Sequence, residues 1–285
     1  MSTWSAPTGV PPIVGVAWLR RRIDGVVVCE VGSTMGGVDP RAEFEAGHVP
    51  GARLVDLDAV LARPASGTDG RHPLPTATDF ARDLGALGVA DDRVVVAYDR
   101  RGGALASRLV WMLRILGQPA AILDGGLGTW EETATGDDLE RGPTAVEVVR
   151  RTPRPWPEDA VADADRVAAS LAAGSVVIDS RERRRYLGEI EPIDAVAGHV
   201  PGARNLPFAD NLGPEGRFRS VEELRDRFGS VAGDDTIVYC GSGVTACHNA
   251  LALEHAGFAL PRVFVASWSG WTADPDRPVA TGDAP

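Results

Sequence analysis

The chain has 285 residues, of which 44% are hydrophobic and 24% charged, and its formal net charge is −11. This composition is typical of a folded globular protein, and the length suits about two domains. The negative charge argues against partners such as nucleic acid or an anionic membrane surface. No apolar run approaches the ~18 residues of a membrane-spanning helix, and no basic segment precedes the N-terminal apolar stretch, as a signal peptide would require.

Two residue types limit the chemistry further. All 29 basic residues are arginine, which excludes a Schiff base on lysine. The three cysteines are Cys29, Cys240 and Cys247, and an odd, low number without a secretion signal predicts reduced thiols in the cytoplasm. The five histidines are scattered without the spacing of a zinc site, so we expect no bound metal.

The first half of the chain alternates strand and helix patterns. Short apolar, mostly β-branched runs predict buried parallel strands at Val26–Val28, Val94–Val96 and Ala120–Leu123. Helical patterns lie between them at Asp79–Leu87 and Ala104–Leu116, each followed by a glycine that is typical of a helix end.

A proline-rich, charged stretch from Gly136 to Asp159 separates the two halves. Prolines this dense exclude a long helix and favour a stiff, extended connection. Within it, Ala145–Val149 could pack as an edge strand.

The second half repeats the alternation. Strands are predicted at Val176–Asp179, Thr236–Tyr239 and Arg262–Val265, and helices at Val221–Phe228 and Thr245–Ala256. Strands that alternate with helices of this length predict an α/β fold, in which each half has a central, mostly parallel sheet of about five strands flanked by helices.

A heptapeptide repeat connects the halves. The sequence Gly-His-Val-Pro-Gly-Ala-Arg occurs at Gly47–Arg53 and again at Gly198–Arg204. Two copies about half a chain apart predict a duplicated domain instead of a solenoid. We therefore expect a first domain over residues 1–137, a linker over 138–160 and a second domain over 161–285.

The loop after the predicted strand Thr236–Tyr239 could carry chemistry. Cys240 is followed by Gly241-Ser242-Gly243-Val244-Thr245 and then by a helix. A glycine-containing turn into a helix N-terminus directs backbone N–H groups and a positive dipole end at one point, which favours a thiolate. The hydroxyls of Ser242 and Thr245 can add hydrogen bonds. The loop thus predicts a nucleophilic cysteine, although a buried cysteine beside a glycine turn is the simpler alternative.

At the matching position the first half has Asp99, followed by Arg100-Arg101-Gly102-Gly103. A carboxylate cannot serve as a sulfur nucleophile, and it could instead pair with arginine. We therefore expect a catalytic second half and a non-catalytic first half.

The run Cys-Gly-Ser-Gly-Val-Thr-Ala-Cys-His resembles the active-site loop of the tandem-domain sulfurtransferases, the family of rhodanese (thiosulfate sulfurtransferase) and 3-mercaptopyruvate sulfurtransferase. The heptapeptides and the segments Gly125–Trp130 and Ser267–Trp271 are similar to further signatures of that family. The resemblance covers about Val26 to Trp271 and implies two tandem rhodanese-like domains. It also implies transfer of a sulfane sulfur from 3-mercaptopyruvate or thiosulfate, through a persulfide on Cys240, to cyanide, a thiol or thioredoxin, without a metal or cofactor.

The resemblance also suggests how the donor binds. In this family, thiosulfate enzymes tend to carry basic residues directly after the cysteine, whereas Gly241-Ser242 resembles the mercaptopyruvate branch, in which the serine takes part in proton handling. Arg185 matches the family's substrate-binding arginine. The second arginine usual in that branch is absent from Glu189–Asp194. A residue of the cluster around Arg185 could replace it: Arg181, Arg183 or Arg184.

Asp58 and His72 match first-half residues that reach the active site between the domains of the family. The resemblance implies that this pair delivers a proton to the enolate product, as a general acid would. From the residues alone, His72 could equally be a loop histidine bonded to the backbone, and Asp58 the N-cap of a short helix.

His48 and His199 occur in both copies of the repeat, and a group shared by the catalytic and the non-catalytic half is expected to be structural.

The other cysteines and two tryptophans are predicted to pack. Cys247 fits the buried face of a helix, although it could also resolve an oxidised Cys240. Cys29 is expected to be buried at a strand end. Trp268 and Trp271 are expected to pack under the catalytic loop.

Two other functions compete with sulfur transfer. A cysteine phosphatase on a rhodanese-like fold needs an arginine six positions after the cysteine, where this chain has Ala246. A non-catalytic module that binds persulfides, or a carrier that depends on a partner protein, also fits the fold and stays open.

Overall fold

The first half of the chain forms a five-stranded sheet in which all paired strands run parallel. The computed structural model describes residues 9–35, 37–134 and 138–284. The strand order is β1-β5-β4-β2-β3. The strands are β1 (Ile13–Val14), β2 (Val26–Gly32), β3 (Arg53–Asp56), β4 (Val94–Tyr98) and β5 (Ala120–Leu123).

The second half repeats this topology. Its five parallel strands lie in the order β6-β10-β9-β7-β8. Each strand occupies the same place as its counterpart in the first sheet, so that β6 corresponds to β1 and β10 to β5. They are β6 (Val161–Ala162), β7 (Val177–Asp179), β8 (Arg204–Asn205), β9 (Ile237–Tyr239) and β10 (Arg262–Phe264). The predicted α/β fold with two similar domains is confirmed.

Helices connect the strands. The first half contains α1 (Val16–Arg20), α2 (Pro40–Ala46), α3 (Leu57–Val60), α4 (Ala77–Ala86), α5 (Ala106–Ile115) and α6 (Gly126–Glu132). The second half contains α7 (Ala164–Ala172), α8 (Arg183–Tyr186), α9 (Val221–Phe228), α10 (Ala246–His255) and α11 (Ser267–Trp271). The predicted helix Val221–Phe228 has the same bounds in the structure, and the other three predicted helices differ by one or two residues at their ends.

The sheets are buried on both faces, which explains their uninterrupted apolar runs. In β2, Val27 and Cys29 face the cluster that contains α4 and α5, whereas Val26 and Val28 face α2 and α6. Side chains alternate between the faces of a strand, so a strand covered on both sides needs apolar residues at every position.

The two domains share one apolar core. Helix α5 packs against α10, and Leu109 of α5 belongs to the same buried cluster as Leu251 of α10. A buried ion pair between Arg114 and Glu254 joins these helices as well. The strand-to-helix loops that precede α5 and α10 are thereby held close to the domain interface.

The heptapeptide histidines are structural, as predicted. His48 stacks on Phe44 and His199 on Tyr186, in both cases with ring centroids 3.7 Å apart. Each Nδ1–H donates to the carbonyl oxygen of its stacking partner at 2.8 Å. Because both domains use the same contact, it supports the fold and not the chemistry of one half.

Three sequence expectations need comment. The edge strand predicted at 145–149 is wrong, because this segment crosses α4 instead of a sheet edge, and the Val149 N–H donates to the Gly85 carbonyl at 3.0 Å. Cys29 is buried as predicted, but it lies in the middle of β2 and not at a strand end. The predicted domain boundary at residue 137 lies outside the described residues.

Within the described residues, no helix is long and apolar enough to cross a membrane. The three cysteines are not paired in disulfides, and all three are buried. The first eight residues, on which the expectation about a signal peptide depends, lie outside the described part of the chain.

Candidate active site

Cys240 begins the six-residue loop between β9 and α10, and its side chain is almost fully buried. The Gly243 N–H donates to Sγ of Cys240 at 3.2 Å. The main chain of Cys240 is fastened to α11, since its N–H donates to Oγ of Ser267 at 3.1 Å and its carbonyl accepts the Trp268 N–H at 3.0 Å. The sulfur is therefore held in a fixed position, beside a backbone N–H group that can donate a hydrogen bond to a thiolate.

Gly243 is required by the shape of this loop. Its φ is +77°, and a Cβ added there would lie 2.3 Å from the carbonyl oxygen of Val265. Both the left-handed backbone and the close approach exclude a larger residue.

Ser267 has a positive φ of 54° although it is not a glycine. Its hydroxyl donates to the Phe264 carbonyl at 2.8 Å and accepts the Cys240 N–H. These two bonds stabilise a backbone conformation that is otherwise costly by about 1–2 kcal/mol. Ser267 thus positions the catalytic loop, a role that the sequence analysis missed.

In the first domain, the matching loop between β4 and α5 binds a carboxylate through its backbone N–H groups. The carboxylate of Asp99 accepts four backbone N–H groups at 2.6–2.9 Å, and the donors are Arg101, Gly103, Leu105 and Ala106. Among the described residues, Asp99 makes no ion pair with arginine, which the sequence had left open. These N–H groups of the first-domain loop are therefore already bonded to a carboxylate of the protein itself.

Ser242, His72 and Asp58 form a row across the domain interface. Oγ of Ser242 lies 2.8 Å from Nδ1 of His72, and Nε2 of His72 lies 3.2 Å from Oδ1 of Asp58. The Ser33 hydroxyl donates a hydrogen bond to Oδ2 of Asp58 at 3.2 Å. With Nε2–H donating to the carboxylate, Nδ1 is free to accept the Ser242 hydroxyl proton. His72 of the first domain therefore contacts Ser242 of the Cys240 loop directly.

Burial lowers the pKa of His72, and the neighbouring Arg108 and Arg71 act in the same direction, while Asp58 opposes them. The imidazole is consequently neutral near pH 7, which suits the acceptor role of Nδ1. The alternatives from the sequence do not hold, since His72 bonds side chains and the N-cap of α3 is Asp56 instead of Asp58.

Arg108 of α5 is fully buried beneath the catalytic loop. Nη1 donates to the Gly243 carbonyl at 2.8 Å and Nη2 to the His72 carbonyl at 2.9 Å. Within the described residues no carboxylate pairs with it, and the sulfurs of Cys247 and Cys240 are the groups that counter the lowering of its pKa by burial. Arg108 thus joins the loops of the two domains and adds positive charge beside the thiol.

Arg185 lies in a cluster of charged side chains next to the catalytic loop. Its guanidinium donates to Glu191 at 2.7 Å and to Asp194 at 3.2 Å, and Asp194 also pairs with Arg71 of the first domain. Burial raises the pKa of Asp194, with Arg71 acting against it.

Each of the three arginines that follow β7 is paired with a carboxylate. Arg181 is buried and pairs with Asp179 at 2.6 Å and with Glu191 at 3.4 Å, while Arg183 and Arg184 are exposed and pair with Asp283 and Glu189. The expectation that one of them replaces the missing arginine stays a prediction.

The remaining predicted loop residues have simpler roles. Val244 is buried in the core, and Thr245 begins α10 without a capping hydrogen bond from its side chain. Cys247 is fully buried, and burial raises the pKa of its thiol to about 12. The predicted packing role of Cys247 therefore agrees with a neutral thiol.

Trp268 is fully buried and Trp271 nearly so, in the apolar cluster beside β9 and β10. The predicted packing of both rings against the segment that carries the loop is confirmed.

The sequence analysis missed Arg71 and Arg108. Arg108 stands inside an apolar helical run, where an arginine is unexpected and signals a buried partner. Arg71 directly precedes His72, but only the fold brings it across the interface to Asp194. Within the described residues, no group of three or more His, Cys, Asp or Glu is arranged to hold a metal ion.

Comparisons with known proteins agree with this geometry. The rhodanese-like domain family matches residues 26–133 and 163–274. A probable 3-mercaptopyruvate sulfurtransferase of Pseudomonas aeruginosa is 44% identical over 84% of this chain and 86% of its own length. A protein of Mycobacterium tuberculosis, provisionally named thiosulfate sulfurtransferase SseB, is 35% identical over 92% of this chain and 93% of its own length.

The crystal structure of the 3-mercaptopyruvate sulfurtransferase SseA from Escherichia coli superimposes with a TM-score of 0.77 and 30% identity, covering 91% of this chain and 100% of that protein. The duplicated parallel sheets, the cysteine loop after β9 and these similarities lead to one assignment. The chain belongs to the rhodanese-like family, as a tandem-domain sulfurtransferase.

Proposed function

We propose that the protein transfers sulfur from 3-mercaptopyruvate, through a persulfide on Cys240, to a thiol or cyanide acceptor. The observation that carries this proposal is the row Ser242–His72–Asp58 beside the Cys240 loop. Such a row can transfer a proton. Sulfur transfer from 3-mercaptopyruvate requires this, because a proton must reach the enolate carbon of the product.

In the first step, the Cys240 thiolate attacks the sulfur of the donor thiol. A sulfur–sulfur bond forms, the carbon–sulfur bond of the donor breaks, and its electron pair leaves as the enolate of pyruvate. The donor's sulfhydryl proton is taken up and delivered to the enolate carbon, which gives pyruvate and a Cys240 persulfide anion.

We assign the proton movement to Ser242, His72 and Asp58. The neutral imidazole accepts through Nδ1, the Ser242 hydroxyl contacts the reacting atoms, and Asp58 stabilises the imidazolium that forms. His72 then returns the proton through Ser242 to the enolate carbon. The lowered pKa of His72 favours this return, because the imidazolium gives up its proton readily.

In the second step, a nucleophilic acceptor attacks the outer sulfur of the persulfide and restores the Cys240 thiolate. Cyanide leaves as thiocyanate, and a thiol leaves as its own persulfide. Two observations support binding of the intermediate by this loop. The Gly243 N–H already donates to Sγ of Cys240 at 3.2 Å, and the matching first-domain loop binds the Asp99 carboxylate through four backbone N–H groups.

Charge around the site supports 3-mercaptopyruvate over thiosulfate. The nearby guanidinium groups of Arg71 and Arg185 are balanced by the carboxylates of Glu191 and Asp194. A donor with one carboxylate fits this neutral cluster better than a dianion. Thiosulfate becomes sulfite when it gives up its outer sulfur. Because sulfite needs no proton on carbon, the Ser242–His72 row would have no proton to transfer with this donor.

The proposal includes a reducing, cytoplasmic location and a thiol as the natural acceptor, whether a small thiol or one carried by a protein such as thioredoxin. Three free cysteines support a reducing location. The alternative of a carrier that depends on a partner protein differs from this proposal by predicting no turnover with small molecules.

The test is thiocyanate formation from cyanide, with 3-mercaptopyruvate and thiosulfate compared as donors. A Cys240→Ser variant is the control for the nucleophile, and Cys247→Ser is the matched control for a second buried cysteine. We expect a kcat/KM at least about tenfold higher with 3-mercaptopyruvate, with all activity lost in Cys240→Ser and retained in Cys247→Ser.

A preference for thiosulfate would overturn the choice of donor and leave the sulfurtransferase assignment in place. If neither donor is turned over, the carrier function takes the place of the proposed enzyme.

A further inference from the structure

Two guanidinium groups from different domains meet directly beside the catalytic cysteine. A Cβ placed on Gly241 would lie 3.0 Å from Nη2 of Arg71 and 3.5–3.6 Å from Nη2 and Nη1 of Arg185. Gly241 follows Cys240 in the chain, so both guanidinium groups border the position at which a donor reaches the sulfur.

Both arginines keep nitrogens available for a ligand. In the described part of the chain, the guanidinium of Arg71 is hydrogen-bonded only through Nη1, to Asp194, and that of Arg185 only through Nε and Nη2, to Glu191 and Asp194. Nη2 of Arg71 and Nη1 of Arg185 are therefore unused, and they lie 3.0 and 3.6 Å from the point that a Cβ on Gly241 would occupy.

The carboxylates lie behind the arginines. The side chains of Asp194 and Glu191 are 6% and 4% exposed, whereas those of Arg71 and Arg185 are 33% and 14% exposed. An anion that enters the site meets the guanidinium groups first, and the carboxylates act mainly to orient them.

The loop that carries Arg71 is fixed against the second domain. A Cβ on Gly70 would lie 2.3 Å from the Ala266 carbonyl oxygen, and the Arg71 N–H donates to Oγ of Ser269 at 3.1 Å. The next residue, His72, is held through its carbonyl by Arg108. The position of Arg71 is thus set by its backbone as well as by its ion pair.

We propose that Arg71 is a donor-binding residue, and that its Nη2 and the Nη1 of Arg185 together hold the carboxylate of the sulfur donor, with one arginine from each domain and Asp194 as the residue that positions both. This inference rests on the proposed function and names a specificity residue for it. It also explains how the chain functions without a second arginine in Glu189–Asp194, since the guanidinium comes from the other domain. A closed interface is then necessary for donor binding.

The experiment compares two alkylating reagents of similar size. The Cys240 thiolate displaces iodide from either reagent, but iodoacetate carries a carboxylate and iodoacetamide is neutral. Cys29 and Cys247 are fully buried with thiol pKa values raised to about 12, so the reaction reports on Cys240. Rates are measured for the unmodified protein, Arg71→Gln, Arg185→Gln and the control Arg82→Gln, whose exposed arginine pairs with Asp79 and Asp83 on α4.

We expect Arg71→Gln and Arg185→Gln each to slow iodoacetate about fivefold or more while the iodoacetamide rate stays nearly unchanged. Arg82→Gln should change neither rate. With 3-mercaptopyruvate and cyanide, Arg71→Gln should raise the KM of the donor about tenfold with a smaller effect on kcat.

Equal slowing of both reagents in Arg71→Gln would show that Arg71 only holds the domains together, and an unchanged iodoacetate rate would show that it does not face the anion. Either result overturns the proposal. The alkylation rates need no sulfur donor, so a selective loss of iodoacetate reactivity supports the role of Arg71 even if 3-mercaptopyruvate proves to be a poor donor.

Discussion

At the scale of single residues, the proposed chemistry depends on a serine that joins the Cys240 loop to a histidine of the first domain. Ser242 follows Cys240 by two positions, and its Oγ lies 2.8 Å from Nδ1 of His72. A hydroxyl in this place can pass a proton between donor and imidazole, whereas the thiolate performs the attack. The proposed mechanism thereby assigns sulfur attack to Cys240 and proton transfer to Ser242, two residues of one loop.

This division predicts a donor-dependent effect of Ser242→Ala. The variant should lower kcat with 3-mercaptopyruvate about a hundredfold, because general acid–base catalysis is lost, and should change turnover of thiosulfate little. His72→Asn should behave in the same way. Thiocyanate formation with each donor measures the effect.

Ser107→Ala is the matched control, since Ser107 is a buried serine whose hydroxyl donates to the Ala104 carbonyl and not to the Ser242–His72–Asp58 row. Equal losses with both donors in Ser242→Ala would contradict a proton-transfer role and indicate that the serine only shapes the loop.

Residue by residue, the sequence predicted those parts of the site that lie in contiguous motifs. Cys240 and Ser242 stand in a glycine-containing loop before a helix, whereas Arg185, Asp58 and His72 were assigned to the site through the resemblance to the sulfurtransferase family. Arg71 and Arg108 were missed because their roles depend on contacts across the domain interface, which no local spacing records.

At the scale of elements, the strand–loop–helix unit β9–α10 determines where the sulfur lies. The loop turns at Gly243, where the left-handed backbone and the nearby Val265 carbonyl allow only glycine. The N–H of this same residue donates to Sγ of Cys240. A change at Gly243 therefore disturbs the fold and the chemistry together.

Gly243→Ala should lower the free energy of unfolding by about 2–4 kcal/mol and abolish most activity, because a backbone carbonyl must move in addition to the cost of a positive φ. Gly174→Ala is the matched control, since Gly174 has a φ of +81° with nothing within 4 Å of an added Cβ. It should cost about 1–2 kcal/mol and leave activity intact. Urea denaturation and the cyanide assay measure both effects, and equal losses of stability in the two variants would refute the importance of the Val265 contact.

Among the strands, those that lie in apolar runs of three or more residues, at least two of them larger than alanine, were predicted and the others were missed. The missed strands β1, β3, β6 and β8 each contain at most two apolar residues. The segment 145–149 has a suitable composition for a strand but lies on α4, where Gly85 allows its backbone to approach. Tertiary contacts determine whether each of these segments joins a sheet, and the β-propensity of the local sequence does not contain that information.

At the scale of the whole molecule, a buried histidine joins the two domains near the active site. His248 of α10 donates through Nε2–H to the Gly102 carbonyl of the first domain at 3.1 Å, and its Nδ1 accepts from Asn211 at 3.1 Å. The ring also stacks on Phe218 with centroids 4.6 Å apart. Every polar atom of the neutral ring is used, so a protonated ring would lose the Asn211 bond.

Burial lowers the pKa of His248 from 6.5 to about 4. Between these pH values the unfolded chain binds a proton that the folded protein does not, so the free energy of unfolding falls as the pH is lowered from 6.5 to about 4. The loss attributable to this residue should reach about 3 kcal/mol, and none of it should occur above pH 6.5.

Urea denaturation of the unmodified protein and of His248→Gln at several pH values isolates the contribution. The variant is expected to be less stable at neutral pH but to lose less stability on acidification, so the two curves converge towards pH 4. Parallel curves would contradict the assignment.

The duplicated architecture was predictable because the heptapeptide occurs twice and each copy has the same strand and helix patterns around it. How the two domains pack was not predictable, since the shared core between α5 and α10 involves residues such as Leu109 and Leu251 that are equally suited to the core of one domain. The site is built at this interface, so the sequence placed its nucleophile but not the full set of groups around it.

The central claim is that sulfur passes through Cys240, and mass spectrometry of the protein after exposure to 3-mercaptopyruvate without an acceptor tests it most directly. The account predicts a gain of one sulfur atom located by fragmentation to Cys240, absent from Cys240→Ser, and lost on addition of cyanide with an equal amount of thiocyanate formed. Sulfur on Cys247 or Cys29, or a protein that forms pyruvate without gaining sulfur, would contradict it.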